Sequence, residues 1–383
     1  MSTYVRELSQ ALSEKGYPVG IFTCRGLPGN EAQFSDHANL KYIHICPELA
    51  DCSKEVLYEH CASIAGEIID YTQKENLQFD VIYSQYWISG IIGEILKDKW
   101  GIPHIINFHT LGAIKNKLCV GENEPAFRLN AENNLMSKVD RIIVPSLYER
   151  ENVVKLGECV AGKIKVIPAG VNRKLFRFMD QSQARVQLGF DQPGSTDMKI
   201  LFALGRIEPV KGFDLLIEAF STLAMENSYK LIIAGGSSAD DPLIKKLKSL
   251  AVSRGARDSI VFPGKINHHQ LPLYYNAADL TVITSYYESF ALVALESVSC
   301  GTPLAATPVG VIPELMDGKN SSRLGCILQL PGPFNWADTI RDYLLQGWQI
   351  DAETADESLA PYNWPGIANS LADEIDQLRR EGY

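Results

Sequence analysis

Glu288-Ser289-Phe290-Ala291-Leu292-Val293-Ala294-Leu295-Glu296, followed by Cys300-Gly301-Thr302-Pro303, places two carboxylates eight positions apart. The apolar run Leu280-Thr281-Val282-Ile283-Thr284 before it reads as a strand, and Ala291 to Ser299 reads as a helix that Gly301 and Pro303 stop. Glu288 therefore falls in a strand-to-helix loop. In a helix opening near Phe290, Glu296 lies roughly 9 Å along the axis, about one diphosphate away. The helix start offers free N–H groups and the positive end of the dipole to such an anion, so Phe290, Ala291 and Leu292 are the candidate contacts. A ligand anchored there would lay one end beside Glu296 and the other beside Glu288. The competing reading is a glutamate on a solvated helix face plus an N-terminal glutamate favoured by the dipole.

The 383 residues are enough for two domains of ordinary size, and a composition of 46% hydrophobic and 21% charged residues reads as globular. A formal charge of −10 argues against binding nucleic acid or an anionic lipid surface as the main task. The eight cysteines are scattered, without a CxxC pair or a zinc-type histidine spacing, which fits a reduced cytoplasmic compartment. The sequence contains no apolar run of membrane-spanning length and no signal-peptide pattern, so no integral membrane association is expected. His268-His269 reads as a loop or helix-start pair rather than a metal site, and no metal or cofactor is expected.

Apolar strands alternate with amphipathic helices along most of the chain, the pattern of parallel α/β sheets. In the first half the predicted strands are Val19 to Thr23, Asp80 to Ser84, Ile105 to Phe108, Arg141 to Val144 and Ile164 to Ile167. The polar segment 191–197 reads as a surface connection. After it come Lys199 to Leu204, Lys230 to Ala234, Ser259 to Phe262, Asp279 to Thr284 and Pro303 to Ala306. The last helix, Trp364 to Arg380, carries Ile367, Leu371, Ile375 and Leu378 on one face and needs a surface to bury them.

Gly205-Arg206-Ile207-Glu208-Pro209-Val210-Lys211-Gly212 follows the first strand of the second unit and precedes a helix, so Arg206 and Lys211 sit on a carboxyl-end loop, where the sites of such sheets gather. Placed across from the Glu288 helix, they would neutralise a diphosphate through charge-assisted bonds of roughly 1.5–3 kcal/mol each.

Together the Gly-Arg-x-x-x-x-Lys-Gly loop, the Glu-x7-Glu element and the Cys-Gly-Thr-Pro tail resemble the retaining glycosyltransferases of family 4. Val166-Ile167-Pro168-Ala169-Gly170-Val171-Asn172 and Val309-Gly310-Val311-Ile312-Pro313-Glu314 fit the family's wording as well, and the resemblance runs over nearly the whole chain. It implies the GT-B fold, an α/β architecture of two Rossmann-like domains facing across a cleft, with a C-terminal helix returning to the first. The implied divisions are 1–175 for the acceptor side, 176–350 for nucleotide-sugar binding and 351–383 for the return segment. It implies a nucleotide-sugar donor, with UDP-glucose and UDP-N-acetylglucosamine as the family expectations, a small-molecule acceptor, and a homodimer as an open expectation.

Within the family the likeness is to the branch that includes inositol-phosphate glycosyltransferases and sucrose-phosphate synthases, whose acceptors are phosphorylated polyols or sugars. By that resemblance Lys54, Tyr86, Thr110 and Arg128 fall where the acceptor phosphate is gripped, and His109 falls on the active-site histidine beside the transferred sugar. Glu288 would hold sugar hydroxyls and Glu296 the ribose, with Gly205, Arg206, Lys211 and the 290–292 segment around the diphosphate. Three alternatives stay open: a nucleotide-sugar-binding protein without transfer activity, a sugar-nucleotide epimerase of the same architecture, and a transferase acting on lipid-linked acceptors.

Residues 2–12 read as an amphipathic helix with Val5, Leu8 and Leu12 on one face, ended by Gly16. Family members place a strand and a glycine-rich turn before this helix. In the doubly wound order that first strand is central, and without it neighbouring strands would have unpaired backbone groups in the middle of the sheet. The expectation is a protein carrying about 20 further residues at its start.

Overall fold

The computed structural model describes residues 2–24, 39–157, 161–190, 198–226, 228–236, 241–330, 332–333 and 335–381. The predicted connection 191–197 lies outside the described residues. The strands are β1 Val19–Thr23, β2 Leu40–His44, β3 Ile82–Gln85, β4 His104–Asn107, β5 Arg141–Val144, β6 Ile164–Val166, β7 Lys199–Leu204, β8 Tyr229–Ala234, β9 Ile260–Gly264, β10 Leu280–Ile283, β11 Leu304–Ala306 and β12 Gly325–Ile327. Every pairing between them is parallel. Two of these strands, β2 and β12, were not anticipated from the sequence.

The second half folds around one six-stranded sheet in the order β12-β11-β10-β7-β8-β9. Because side chains alternate along a strand, β7 sends Ile200 and Phe202 into one core and Leu201 and Ala203 into another. The helix Leu292–Ser299 covers the first face through Ala294, Leu295 and Val298, and the helix Phe213–Ala224 covers the second through Leu216, Ile217 and Phe220. A strand buried on both faces needs a continuous apolar run, and Lys199–Leu204 supplies one.

In the first half the strands form two sheets, β1-β2 and β3-β4-β5-β6. The doubly wound order would set one more strand between β1 and β3. Among the described residues β1 pairs only with β2, and β3 only with β4. The helix Ser2–Glu14 buries Tyr4, Leu8 and Ala11, with Val5 and Leu12 partly buried beside them.

The last helix, Trp364–Arg380, is capped by Asn363, whose side chain accepts the Gly366 N–H at 2.8 Å. Its apolar face joins the core that also holds Tyr4 and Leu8 of the opening helix, which buries the stripe read from the sequence. Glu374 on this helix takes Arg141 at the start of β5 (2.5 Å) and Lys165 of β6 (3.1 Å), and Arg379 reaches Asp80 (3.2 Å). The chain thus closes by returning to its first half.

Candidate functional site

The loops after β7 and β10 converge at the carboxyl ends of those strands. Gly212 adopts φ +62°, and a Cβ there would stand 2.4 Å from the Thr284 carbonyl oxygen. That close approach requires glycine. It lays the 205–212 loop on the end of β10, where Thr284 Oγ1 donates to Lys211 O at 2.9 Å. Lys211 Nζ consequently meets Glu288 Oε1 at 2.5 Å, and Ser285 Oγ donates to the same oxygen at 2.7 Å. Two residues 77 positions apart, both singled out in the sequence, are in contact. Gly205 belongs to the same loop, but Arg206 turns outward: its side chain is 69% exposed and pairs with Glu208. The structure does not bring Arg206 into contact with Lys211 or Glu288.

The helix after Glu288 starts later than expected. It runs Leu292–Ser299, and Ala291 precedes it in the left-handed region at φ 77°. The cause is the Val309-Gly310-Val311 loop. Val311 N–H donates to Phe290 O at 2.7 Å, and Gly310, at φ +58°, comes so near that a Cβ would lie 2.3 Å from that oxygen. The backbone at Phe290 and Ala291 is thereby held out of the helix, and because Ala294 N–H donates to Ala291 O at 3.0 Å, the first-turn amides left without such a bond are those of Leu292 and Val293. Glu296 is then about 6 Å along the axis, not 9. It is buried, accepting from Tyr275 Oη at 2.7 Å, with His268 Nε2 3.8 Å from its other oxygen.

Tyr86, Thr110, Arg128 and Lys54 gather at the ends of β3 and β4. Tyr86 follows β3 with φ 83°, an uncommon angle for a tyrosine. Two cations lie over its ring, Arg128 at 5.1 Å and Lys54 at 5.7 Å from the centroid. Arg128 is 1% exposed and fully engaged: Nε donates to Glu132 (2.7 Å), Nη1 pairs with Glu124 (2.7 Å), and Nη2 donates to Thr110 O and Oγ1 (3.0 and 3.2 Å). Burial works against its charge, but the carboxylates outweigh it and hold the guanidinium above the usual arginine range. Lys54, at the start of the helix Lys54–Glu59, is exposed. The four residues inferred from resemblance are therefore one cluster.

His109 sits beside Thr110 at φ 58°. Its N–H is taken by Asn107 Oδ1 at 2.9 Å and its Nε2 meets Gln85 Oε1 at 2.8 Å. The Tyr4 ring lies edge-on to it, centroids 5.3 Å apart. Burial pushes the imidazole down to about 3, so the ring is neutral near pH 7.

Residues that sequence reasoning passed over join the two halves. Tyr287, next to Glu288, donates its hydroxyl to Glu149 Oε1 at 2.7 Å, and both residues are 3% exposed. Ser146 Oγ donates to Ser289 O at 2.8 Å, and Leu147 N–H donates to Glu314 Oε1 at 2.7 Å. The available signal was the spacing Ser146-Leu147-Tyr148-Glu149, a capping box ahead of the helix Leu147–Val154. Cys46, Glu48 and Glu67 form the one group with metal-ligand spacing among the described residues, and Glu67 is occupied by the Cys46 N–H at 3.2 Å. No helix among them is long and apolar enough to cross a membrane.

The pattern described as Glycosyltransferase Family 4 matches residues 1–175, and that described as Glycosyl transferases group 1 matches residues 188–347. The D-inositol 3-phosphate glycosyltransferase of Mycobacteroides abscessus is 31% identical over 378 residues, covering 97% of this chain and 83% of that protein. D-inositol 3-phosphate glycosyltransferase 2 of Catenulispora acidiphila is 31% identical over 403 residues, covering 100% of this chain and 92% of its own. Among solved structures, the sucrose-phosphate synthase of Thermosynechococcus elongatus superposes with a TM-score of 0.86 at 27% identity, over 99% of this chain and 94% of that one. Two parallel α/β units, a returning terminal helix and full-length relatives of one kind lead to a single assignment: the chain belongs to glycosyltransferase family 4 and has the GT-B fold.

Proposed function

We propose that this glycosyltransferase moves a hexosyl group from a UDP-linked donor to a small phosphorylated polyol or sugar, with retention of anomeric configuration. The observation that carries the acceptor reading is the Lys54-Tyr86-Thr110-Arg128 cluster, with an exposed lysine and a buried arginine both over one ring. The names of the inositol-phosphate relatives point the same way.

In the reaction the bond between the anomeric carbon and the β-phosphate oxygen breaks. A new bond forms to the acceptor hydroxyl oxygen, and that hydroxyl's proton passes to the departing phosphate. Negative charge builds on the leaving group, so preorganised donors there matter most, one lost donor costing on the order of 10²–10³ in rate. In this reading Lys211 and the amides opening the helix Leu292–Ser299 take this task, and Arg206 swings inward from its exposed pairing with Glu208 to join them. Glu288, already held by Lys211 and Ser285, is placed to accept from donor sugar hydroxyls, and Glu296 from the ribose. His109, neutral at working pH, serves as a hydrogen-bonding partner for the sugar rather than as a cation. The chemistry draws on these side chains without a cofactor.

A screen of UDP-sugars against polyols and sugars, each with and without a phosphate, reading released UDP, tests this. Turnover confined to phosphorylated acceptors is expected, and turnover confined to unphosphorylated or lipid acceptors would discard the acceptor reading.

A further inference from the structure

One turn of the first half, Ser146 to Glu149, makes three hydrogen bonds to the second: to Ser289 and Tyr287, on either side of Glu288, and to Glu314. A capping box would fold the Glu149 carboxylate back onto the Ser146 amide. Only half of the box is made here. Glu149 N–H donates to Ser146 Oγ at 3.0 Å, while the carboxyl accepts from Tyr287. The cap's second half is diverted to the other unit, at the cost of burying a carboxyl and a phenol together. An apolar pair would hold two surfaces together without that cost.

The location explains what the polar pair adds. Glu149 lines a cavity of about 10 Å³ together with Asn107 and His109, enough space for one water. Its second oxygen, Oε2, is buried, as is Asn107 Nδ2. Tyr287 therefore ties a residue of the His109 cavity to the loop that carries Glu288. We infer that Glu149 is a positioning residue for transfer: through Tyr287 it fixes the Glu288 loop against the acceptor half, so that the sugar end of the donor is held in register with His109 and shielded from water. An apolar contact would slide, whereas a hydrogen bond fixes the register. Burial pushes the Glu149 carboxyl up to about 8, so near pH 7 it is mainly in its neutral form, which a glutamine amide imitates.

The inference rests on the proposed role of Glu288 at the donor sugar. The test compares wild type, Tyr287→Phe and Glu149→Gln for transfer kcat, for the fraction of donor lost to water, and for UDP affinity by titration. Tyr287→Phe is expected to lower transfer kcat about tenfold and to raise the hydrolysed fraction, with UDP affinity within about twofold of wild type. Glu149→Gln, whose amide oxygen still accepts from Tyr287, is expected to keep most of the transfer rate. Wild-type kcat and partition in Tyr287→Phe would overturn the inference. So would a loss in Glu149→Gln as large as that in Tyr287→Phe, or a fall in UDP affinity matching the fall in kcat. If UDP is the wrong base, wild type itself fails to bind it, a result separate from any difference among variants, and the comparison runs with the nucleoside diphosphate that wild type binds.

Discussion

The two halves hold their cations in opposite ways. On the donor side Lys211 meets a single carboxylate within reach of solvent, and Arg206 projects outward with Glu208. On the acceptor side Arg128 is sealed between Glu124, Glu132 and Thr110, and only Lys54 is exposed. Lys211 and Glu288 keep 15% and 18% of their side-chain surface exposed, so a ligand anion competing with Glu288 for Lys211 meets a pair that solvent still reaches. For Arg128, removing a partner from a buried pair leaves an uncompensated charge. Under the proposed function, the Lys211 pairing is the more open of the two, and the Arg128 cluster is a buried frame with Lys54 as its exposed arm.

Substitutions that break this contrast should separate in kind as well as size. Lys211→Ala is expected to lower kcat by about 10²–10³ while leaving the melting transition near wild type. Arg206→Ala should slow turnover by about tenfold, because water screens an exposed charge. Arg128→Ala should instead appear first as lost stability, about 3–5 kcal/mol in a denaturant titration. Lys54→Ala should leave the titration unchanged and raise KM for a phosphorylated acceptor by about tenfold; equal stability losses for the two would erase the distinction between frame and arm. Glu296→Ala should raise donor KM by about tenfold or more, with Tyr275→Phe, which only frees the carboxylate, having a smaller effect in the same assay.

The effects of pH run in opposite directions for two residues of the first half that line one cavity. His109 is held down to about 3 by burial, so the unfolded chain binds a proton the folded one refuses. Its stabilising contribution is complete above the ordinary histidine value of 6.5 and is lost as pH falls toward 3. Glu149 is held up at about 8, so its contribution is complete below 4.5 and is lost as pH rises toward 8. Glu149→Gln should flatten the alkaline limb of a stability profile and leave the acid limb in place. A profile unchanged by Glu149→Gln would mean that Glu149 titrates normally.

Strands that are apolar without interruption after their first residue, such as Lys199–Leu204, were legible because burial on both faces leaves no polar position within the run to confuse the pattern. Leu40–His44 was not, since two of its five positions are polar and an edge pairing with β1 decides it. The helix start moved from Ala291 to Leu292 because a tertiary contact from Gly310 sets the backbone there. Lys211 and Glu288 were found through their loop wording. Glu149 and Tyr287, 138 positions apart, carry no local sign that they meet. The Arg128 network was named as an acceptor grip, while its closure by Glu124 and Glu132 is visible only in three dimensions.

The claim on which the rest depends is that an open donor clamp faces a fixed frame for an acceptor phosphate. Transfer from a UDP-sugar to one polyol, presented with and without its phosphate, in wild type and in Lys54→Ala, tests it most directly. Wild type should turn over the phosphorylated polyol far faster than the free one, and Lys54→Ala should remove most of that preference by raising KM. Equal turnover of the two polyols by wild type, or a preference untouched by Lys54→Ala, would contradict it.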